Sequence, residues 1–125
     1  MVTRNGVIKR TLLSDYAYQR KGGKIALALD EGDELVFVTC TGKEPVDLII
    51  ATHNGCAVRF TVDDESVRPM GRTARGVRGI SLRDDDYVVG VTQVTEGKML
   101  ITITENGMGK RTDFDDFRQM RHRGG

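Results

Sequence analysis

The sequence has no tryptophan, only two cysteines and two prolines, and no long apolar run. A membrane helix needs about 20 apolar residues, so a helical membrane protein is excluded. Since no signal-peptide pattern opens the chain either, we expect a cytoplasmic protein. Cys40 and Cys56 lack metal-ligand spacing and each falls in an apolar, strand-like run, so we expect packed thiols rather than a metal site or a disulfide.

The net charge is also small. Lysine and arginine exceed aspartate and glutamate by one, which gives a formal charge of +1 at pH 7. A nucleic-acid-binding function must therefore be argued from where the charges lie. The 125 residues, 38% hydrophobic and 30% charged, indicate a soluble globular chain of one domain or a few repeat units.

What the chain does contain is an internal repeat. Three segments share the pattern Thr-x-Asn-Gly, and their glycines recur about every 50 residues, the period of propeller blades. Asn-Gly between two β-rich runs predicts a type I′ hairpin, in which both central residues need positive φ. The three segments are residues 3–6, 52–55 and 104–107.

Other landmarks follow each turn in the same order. A strand with basic residues comes first, then an alternating segment that we predict to begin another strand, an acidic turn, an apolar run and a last strand. The alternating segments are residues 25–27 and 80–82, the apolar runs 35–38 and 87–91, and the last strands 48–51 and 99–103. Short helical turns are expected only within residues 12–18 and 113–121.

These landmarks predict an all-β, propeller-like repeat of about two and a half four-stranded blades. We place the repeats at residues 1–48, 49–100 and 101–125. Two and a half blades cannot close into a ring, and the open edges need cover. We therefore expect either a fragment of a larger domain or self-association through open sheet edges.

Each repeat also carries a loop rich in arginine, lysine and glycine, at residues 19–24, 68–79 and 118–125. None of these basic loops contains aspartate or glutamate; the acids cluster in other turns, which we interpret as solvated. Lysine and arginine neutralise phosphates and release counterions, and glycine lets the backbone approach a phosphate closely. Loops on one rim of a propeller would hold duplex DNA along a curve and read its backbone rather than its bases.

We therefore predict a set of phosphate contacts in the basic loops. They are Arg20, Lys21, Lys24, Arg72, Arg75, Arg78, Arg121 and Arg123. Basic residues on the strands after the hairpins either extend this track or form the polar face of outer strands. They are Lys9, Arg10, Arg59, Lys110 and Arg111.

Four segments together resemble the C-terminal domain of the A protein of bacterial DNA gyrase. They are residues 3–11, 30–35, 67–80 and 104–112, of which the long arginine–glycine stretch is the most specific. The resemblance implies a β-pinwheel, in which neighbouring blades exchange strands, and DNA wrapped on its basic rim. It further implies an ATP-dependent type II topoisomerase that introduces negative supercoils at the bacterial nucleoid. Its partners would be the rest of gyrase A and the whole of gyrase B.

The family's signature box reads Gln-Arg-Arg-Gly-Gly-Lys-Gly. Residues 19–24 match its first six positions, with Lys21 for the second arginine, and Ile25 replaces the closing glycine. The resemblance therefore carries over DNA contact for the matching basic residues, but not the essential wrapping role. We expect middle blades of the domain, with no catalytic residue, metal or cofactor.

Two alternatives remain open. The C-terminal domain of the corresponding topoisomerase IV protein shares the same blade. A propeller scaffold could instead offer its arginine loops to acidic protein partners.

Overall fold

The computed structural model describes residues 1–120, which form nine short strands and two 3-10 turns without an α-helix. The helical turns predicted within residues 12–18 and 113–121 are confirmed as these 3-10 turns. The strands are β1 (Val2–Thr3), β2 (Val7–Ile8), β3 (Leu35–Phe37), β4 (Val46–Thr52), β5 (Ala57–Val62), β6 (Val77–Arg78), β7 (Val88–Gln93), β8 (Met99–Ile103) and β9 (Gly109–Asp113), and the 3-10 turns are Leu13–Tyr16 and Phe114–Asp116.

The strands form three sheets, which have four, three and two strands in chain order. Their orders are β3-β1-β2-β6, β5-β4-β7 and β8-β9. Strand β6 belongs to the second repeat but pairs with β2 of the first, Val7 opposite Arg78 and Ile8 opposite Val77. Neighbouring blades therefore exchange a strand, and the predicted all-β fold of partial blades is confirmed.

The fourth strand lies in a different place from the one predicted. Neither residues 25–27 nor residues 80–82 form a strand; the pairing segment is β6, inside the arginine–glycine stretch predicted as a loop. The glycines of this stretch explain why the fourth strand lies at β6. A Cβ on Gly76 would lie 2.6 Å from the Ile8 carbonyl oxygen, and one on Gly79 would lie 3.1 Å from the side chains of Ile8 and Ile50. These two glycines permit close packing between blades rather than close approach to a phosphate.

The hairpin turns also differ from the prediction. Gly6 has φ +81°, but among residues 1–120 Asp85 is the one non-glycine with positive φ, so Asn5 cannot form a type I′ turn. Instead the Gly6 amide donates to the Thr3 carbonyl at 3.1 Å, which makes a three-residue loop ending in a left-handed glycine. The Thr3 hydroxyl oxygen accepts from the Val7 amide at 3.2 Å. The other two Thr-x-Asn-Gly segments repeat both bonds.

The core lies between the first two blades. In β5 alternate residues Val58, Phe60 and Val62 are buried, whereas β4, flanked by β5 and β7, buries the consecutive residues 48–50. Val2 and Ile8 of the first blade join this cluster. The prediction of packed thiols is wrong: Cys40 is exposed beyond the end of β3, and Cys56 is half-buried beside a hairpin bend.

Candidate nucleic-acid interface

The segment that follows the first basic loop lies beside the second basic loop. The Ala28 amide donates to the Ala74 carbonyl at 3.3 Å, and Nη1 of Arg72 donates to the Ile25 carbonyl at 3.4 Å. These bonds connect the segment that follows residues 19–24 to the middle of residues 68–79. Two loops about 50 residues apart in sequence are thus brought to one region of the surface.

The buried side chain of Lys9 is hydrogen-bonded to the same two segments. Its side chain is 2% exposed, and Nζ donates to the Ala26 carbonyl at 2.8 Å and to the Arg72 carbonyl at 2.6 Å. Burial, followed by the charge of Arg72, lowers the pKa of Lys9, while Asp15 acts in the opposite direction. Lys9 therefore positions the loops, and we do not retain it among the proposed phosphate contacts.

The first loop presents its charges to solvent. Arg20 and Lys21 are exposed, and Lys24 is half-buried, with Nζ 3.4 Å from the Asp15 carbonyl and over the Tyr18 ring. A Cβ on Gly22 or Gly23 would meet no heavy atom within 4 Å. Unlike Gly76 and Gly79, these glycines leave their backbone open to a ligand.

The second loop divides its arginines between two environments. Arg72 is half-buried beside the first loop, whereas Arg75 and Arg78 are exposed. The last two line one cavity of about 600 Å³, together with Asn5 and Ser81. Because β6 is hydrogen-bonded to β2, Arg78 extends from sheet rather than from free loop.

The third loop begins in phase with the second. The Met120 amide donates to the Arg59 carbonyl at 2.8 Å, as the Met70 amide does to the Arg10 carbonyl. Arg118 is exposed. Arg121 and Arg123 lie outside the described residues, so their assignment stays a prediction.

The basic residues on the strands fall into two groups. Arg10 forms an ion pair with Asp64, and Arg59, 14% exposed, pairs with Asp47 at 3.0 Å and donates to the Phe114 carbonyl at 2.7 Å. These two arginines hold the chain together, and we do not retain them among the proposed phosphate contacts. Lys110 and Arg111 on β9 are exposed and remain candidates.

Comparison with known proteins identifies the repeat. The family described as "DNA gyrase C-terminal domain, beta-propeller" matches residues 1–41, 47–95 and 98–125. The chain belongs to this gyrase C-terminal domain family. The gyrase A protein of Aminobacterium colombiense is 44% identical over 124 residues, which cover 99% of this chain and 15% of the relative. The chain thus spans about one seventh of that relative's length.

Two solved structures share the gyrase-family fold. The crystal structure of the C-terminal domain of DNA topoisomerase IV superposes with a TM-score of 0.88 at 31% identity, covering 98% of this chain and 38% of that one. The structure of a DNA gyrase A C-terminal domain gives a TM-score of 0.78 at 28% identity, covering 98% and 40%. Both bear out the resemblance drawn from the sequence.

The acidic turns of this gyrase-family chain have a structural role that the sequence interpretation missed. Asp33 accepts from the Asn5 amide at 2.9 Å, and Asp86 accepts from the Asn54 amide at 3.0 Å. Burial acts to raise the pKa of Asp86, but hydrogen bonds to its carboxylate hold that pKa below its ordinary value. Each acidic turn therefore holds the hairpin of its own repeat. The recurrence of an aspartate just before β3 and before β7 was the available signal.

An aromatic stack between the blades was also missed. The Arg4 guanidinium lies 3.9 Å from the centroid of the Tyr87 ring, and His53 stacks on Tyr87 at 4.7 Å. Arg4 and His53 come from the hairpin loops of the first and second repeats. Tyr87 therefore ties together the hairpins of adjacent blades in this gyrase-family domain.

Residues 1–120 contain neither a metal-binding cluster nor a membrane-spanning helix. Their histidines, cysteines and carboxylates form no group of three that could hold a metal ion. No helix in this part of the gyrase-family chain is long and apolar enough to cross a membrane.

Proposed function

We propose that this chain is a DNA-binding, non-catalytic part of gyrase A, which holds duplex DNA through its basic loops. The observation that carries the proposal is that Lys9 and the Ala28–Ala74 bond join the second basic loop to the segment directly after the first. Four proposed contacts in this joined region are exposed and carry positive charge. They are Arg20, Lys21, Arg75 and Arg78.

A surface of this kind suits the phosphate backbone. Each arginine or lysine that neutralises a phosphate releases counterions, whatever the base sequence. Bending about 20–30 base pairs by 40–90° costs of order 1–6 kcal/mol, so DNA follows a curved rim only when several loops contribute contacts. Lys24, Arg72, Arg121 and Arg123 are proposed as further contacts, and Lys110 and Arg111 as an extension on β9.

The wider context belongs to the same proposal. Since residues 19–24 only partly match the family's signature box, we expect this chain to bind DNA more weakly than a blade with the full box. In the whole gyrase A protein the chain would assist DNA wrapping during negative supercoiling. The ATP-dependent chemistry would reside in the rest of gyrase A and in gyrase B, in the bacterial cytoplasm at the nucleoid.

The test is a charge reversal in the second loop. Replacing Arg75 and Arg78 by glutamate should weaken binding to duplexes of unrelated sequence to the same degree. It should also reduce the slope of log K against log salt by about two, one for each lost phosphate contact. The measurement is fluorescence anisotropy of labelled duplexes across a salt titration.

A matched control reverses two exposed lysines outside the basic loops, Lys43 and Lys98. This control changes the total charge equally, so the two doubly substituted proteins separate local contact from overall charge. Affinity that survives the Arg75 and Arg78 reversal, or that falls equally in the control, would contradict the rim assignment.

Topoisomerase IV remains a second candidate for the parent enzyme because its C-terminal domain gives the higher TM-score of the two structures, 0.88. The curated relatives favour gyrase, because a gyrase A protein is 44% identical over 99% of this chain. A propeller scaffold for acidic proteins is the third reading. Such a scaffold would bind heparin and duplex DNA alike, without a preference that grows with duplex length.

A further inference from the structure

One proposed contact is already occupied by an anion of the protein itself. Nη1 of Arg75 lies 2.8 Å from Oδ1 of Asp30, and the two side chains are 74% and 54% exposed. Asp30 belongs to the acidic turn of the first repeat, and Arg75 to the basic loop of the second. Among the residues proposed as phosphate contacts, and within residues 1–120, Arg75 is the one held in an ion pair with a carboxylate.

A carboxylate and a phosphate are alternative ligands for the same guanidinium group. Asp30 and Arg75 line the same cavity of about 600 Å³ as Arg78. A phosphate that enters this cavity must therefore displace the Asp30 carboxylate from Arg75 or bind beside a negative charge. We propose that Asp30 is an internal competitor of DNA, which lowers the affinity of the second basic loop for the duplex. This inference rests on the proposed function.

The ion pair is not required for the fold of the turn. The turn is closed by the backbone bond from the Asp33 amide to the Asp30 carbonyl at 3.0 Å, and Gly32 supplies the positive φ of +77°. The side chain that anchors the turn is that of Asp33, which accepts from the amides of Asn5 and Glu34. The Asp30 carboxylate can therefore leave Arg75 and become solvated while the turn keeps its fold.

The exposure of the pair sets the size of the effect. Exposed ion pairs contribute from near zero to about 1 kcal/mol, which corresponds to a factor of up to about five in affinity. Arg10 and Arg59 provide the contrast, because their own side chains are only 21% and 14% exposed and hold elements of the chain together. Asp30 therefore lowers the affinity for DNA modestly and reversibly, and screening by salt reduces this effect of Asp30.

The experiment compares Asp30→Asn with Glu31→Gln in the 125-residue chain. Each variant removes one negative charge from the same exposed turn, but within residues 1–120 Glu31 has no arginine or lysine partner. Anisotropy with a labelled duplex of mixed sequence, at about 50 mM salt, should show two- to five-fold tighter binding for D30N than for E31Q. The ratio should fall as the salt concentration is raised to about 200 mM.

A double-mutant cycle with Arg75→Gln isolates the pair. In the R75Q background D30N and E31Q should have the same effect on affinity, because the competed cation is gone. Thermal melts of all variants should agree with the parent protein, as expected for exposed side chains. Equal effects of D30N and E31Q in the parent, or an undiminished D30N effect in R75Q, would overturn the competitor role while leaving DNA binding intact. Failure of the parent protein to bind duplex at low salt would overturn the proposed function and the competitor role together.

Discussion

Replacing Gly76 by alanine should disrupt the pairing of β6 with β2, through which the first two blades exchange a strand. Its φ of +109° is one that L side chains rarely adopt, and an added Cβ would lie 2.6 Å from the Ile8 carbonyl oxygen, 3.0 Å from Val7 Cγ1 and 3.1 Å from Lys9 Cβ. The nearest of these atoms is backbone in β2 and cannot rotate away. Gly76→Ala must therefore move β6 away from β2 or strain both strands.

The expected cost can be built from these distances. A left-handed backbone conformation costs a residue with a Cβ about 1–2 kcal/mol, and displacing β6 weakens its pairing with Val7 and Ile8. Together these terms predict a loss of about 2–4 kcal/mol in the free energy of unfolding. DNA affinity should fall as well, because Gly76 lies between the proposed contacts Arg75 and Arg78.

Gly71→Ala is the matched control. Gly71 belongs to the same loop, its φ is outside the positive region, and a Cβ there would meet nothing within 4 Å. The control should leave stability unchanged or raise it by up to about 1 kcal/mol, because alanine restricts the unfolded chain. Urea denaturation followed by circular dichroism measures both variants. Equal midpoints for G76A and G71A would refute the reasoning that the strand exchange requires glycine.

Two further predictions concern pH. Since the pKa of Lys9 is lowered in the folded state, the unfolded chain binds more protons between that pKa and the ordinary value of about 10.4. The stability of the parent relative to Lys9→Met should therefore rise between pH 7 and pH 10 in thermal melts; a constant or falling difference would contradict the burial argument. Asp86 has a lowered pKa, so its contribution is present above about pH 4 and lost as pH falls further. Asp86→Asn should melt below the parent at neutral pH and approach it at acidic pH, and a gap that persists in acid would rule out the carboxylate as the cause.

Much of the fold could be predicted from local patterns. The Thr-x-Asn-Gly recurrence located the three hairpins, the apolar runs located β3 and β7, and the predicted last strands located β4 and β8. The turn type was missed because Asn-Gly fits both a two-residue loop and the last two positions of a three-residue loop. Only the pairing register decides between them, and register depends on contacts distant in sequence.

The site was less predictable for a related reason. The sequence identifies Lys9 and Arg59 as basic residues. It does not show that Lys9 donates to two carbonyls or that Arg59 forms an ion pair with Asp47. Basic side chains that look equivalent in the sequence were thus divided between interior contacts and open surface by tertiary packing. The exposure of Arg20 and Lys21, by contrast, follows from glycines on one side of them and no apolar neighbour to cover them.

The pairing of β6 with β2 also constrains how the chain is made. A ribosome delivers the amino-terminal end first, so β1, β2 and β3 emerge well before Val77 and Arg78. Until then the β2 edge of the first sheet has no partner strand, and its free backbone groups can pair with another extended segment. Completion of the first sheet is thereby delayed by most of a repeat, and the stability of the first blade depends on its neighbour.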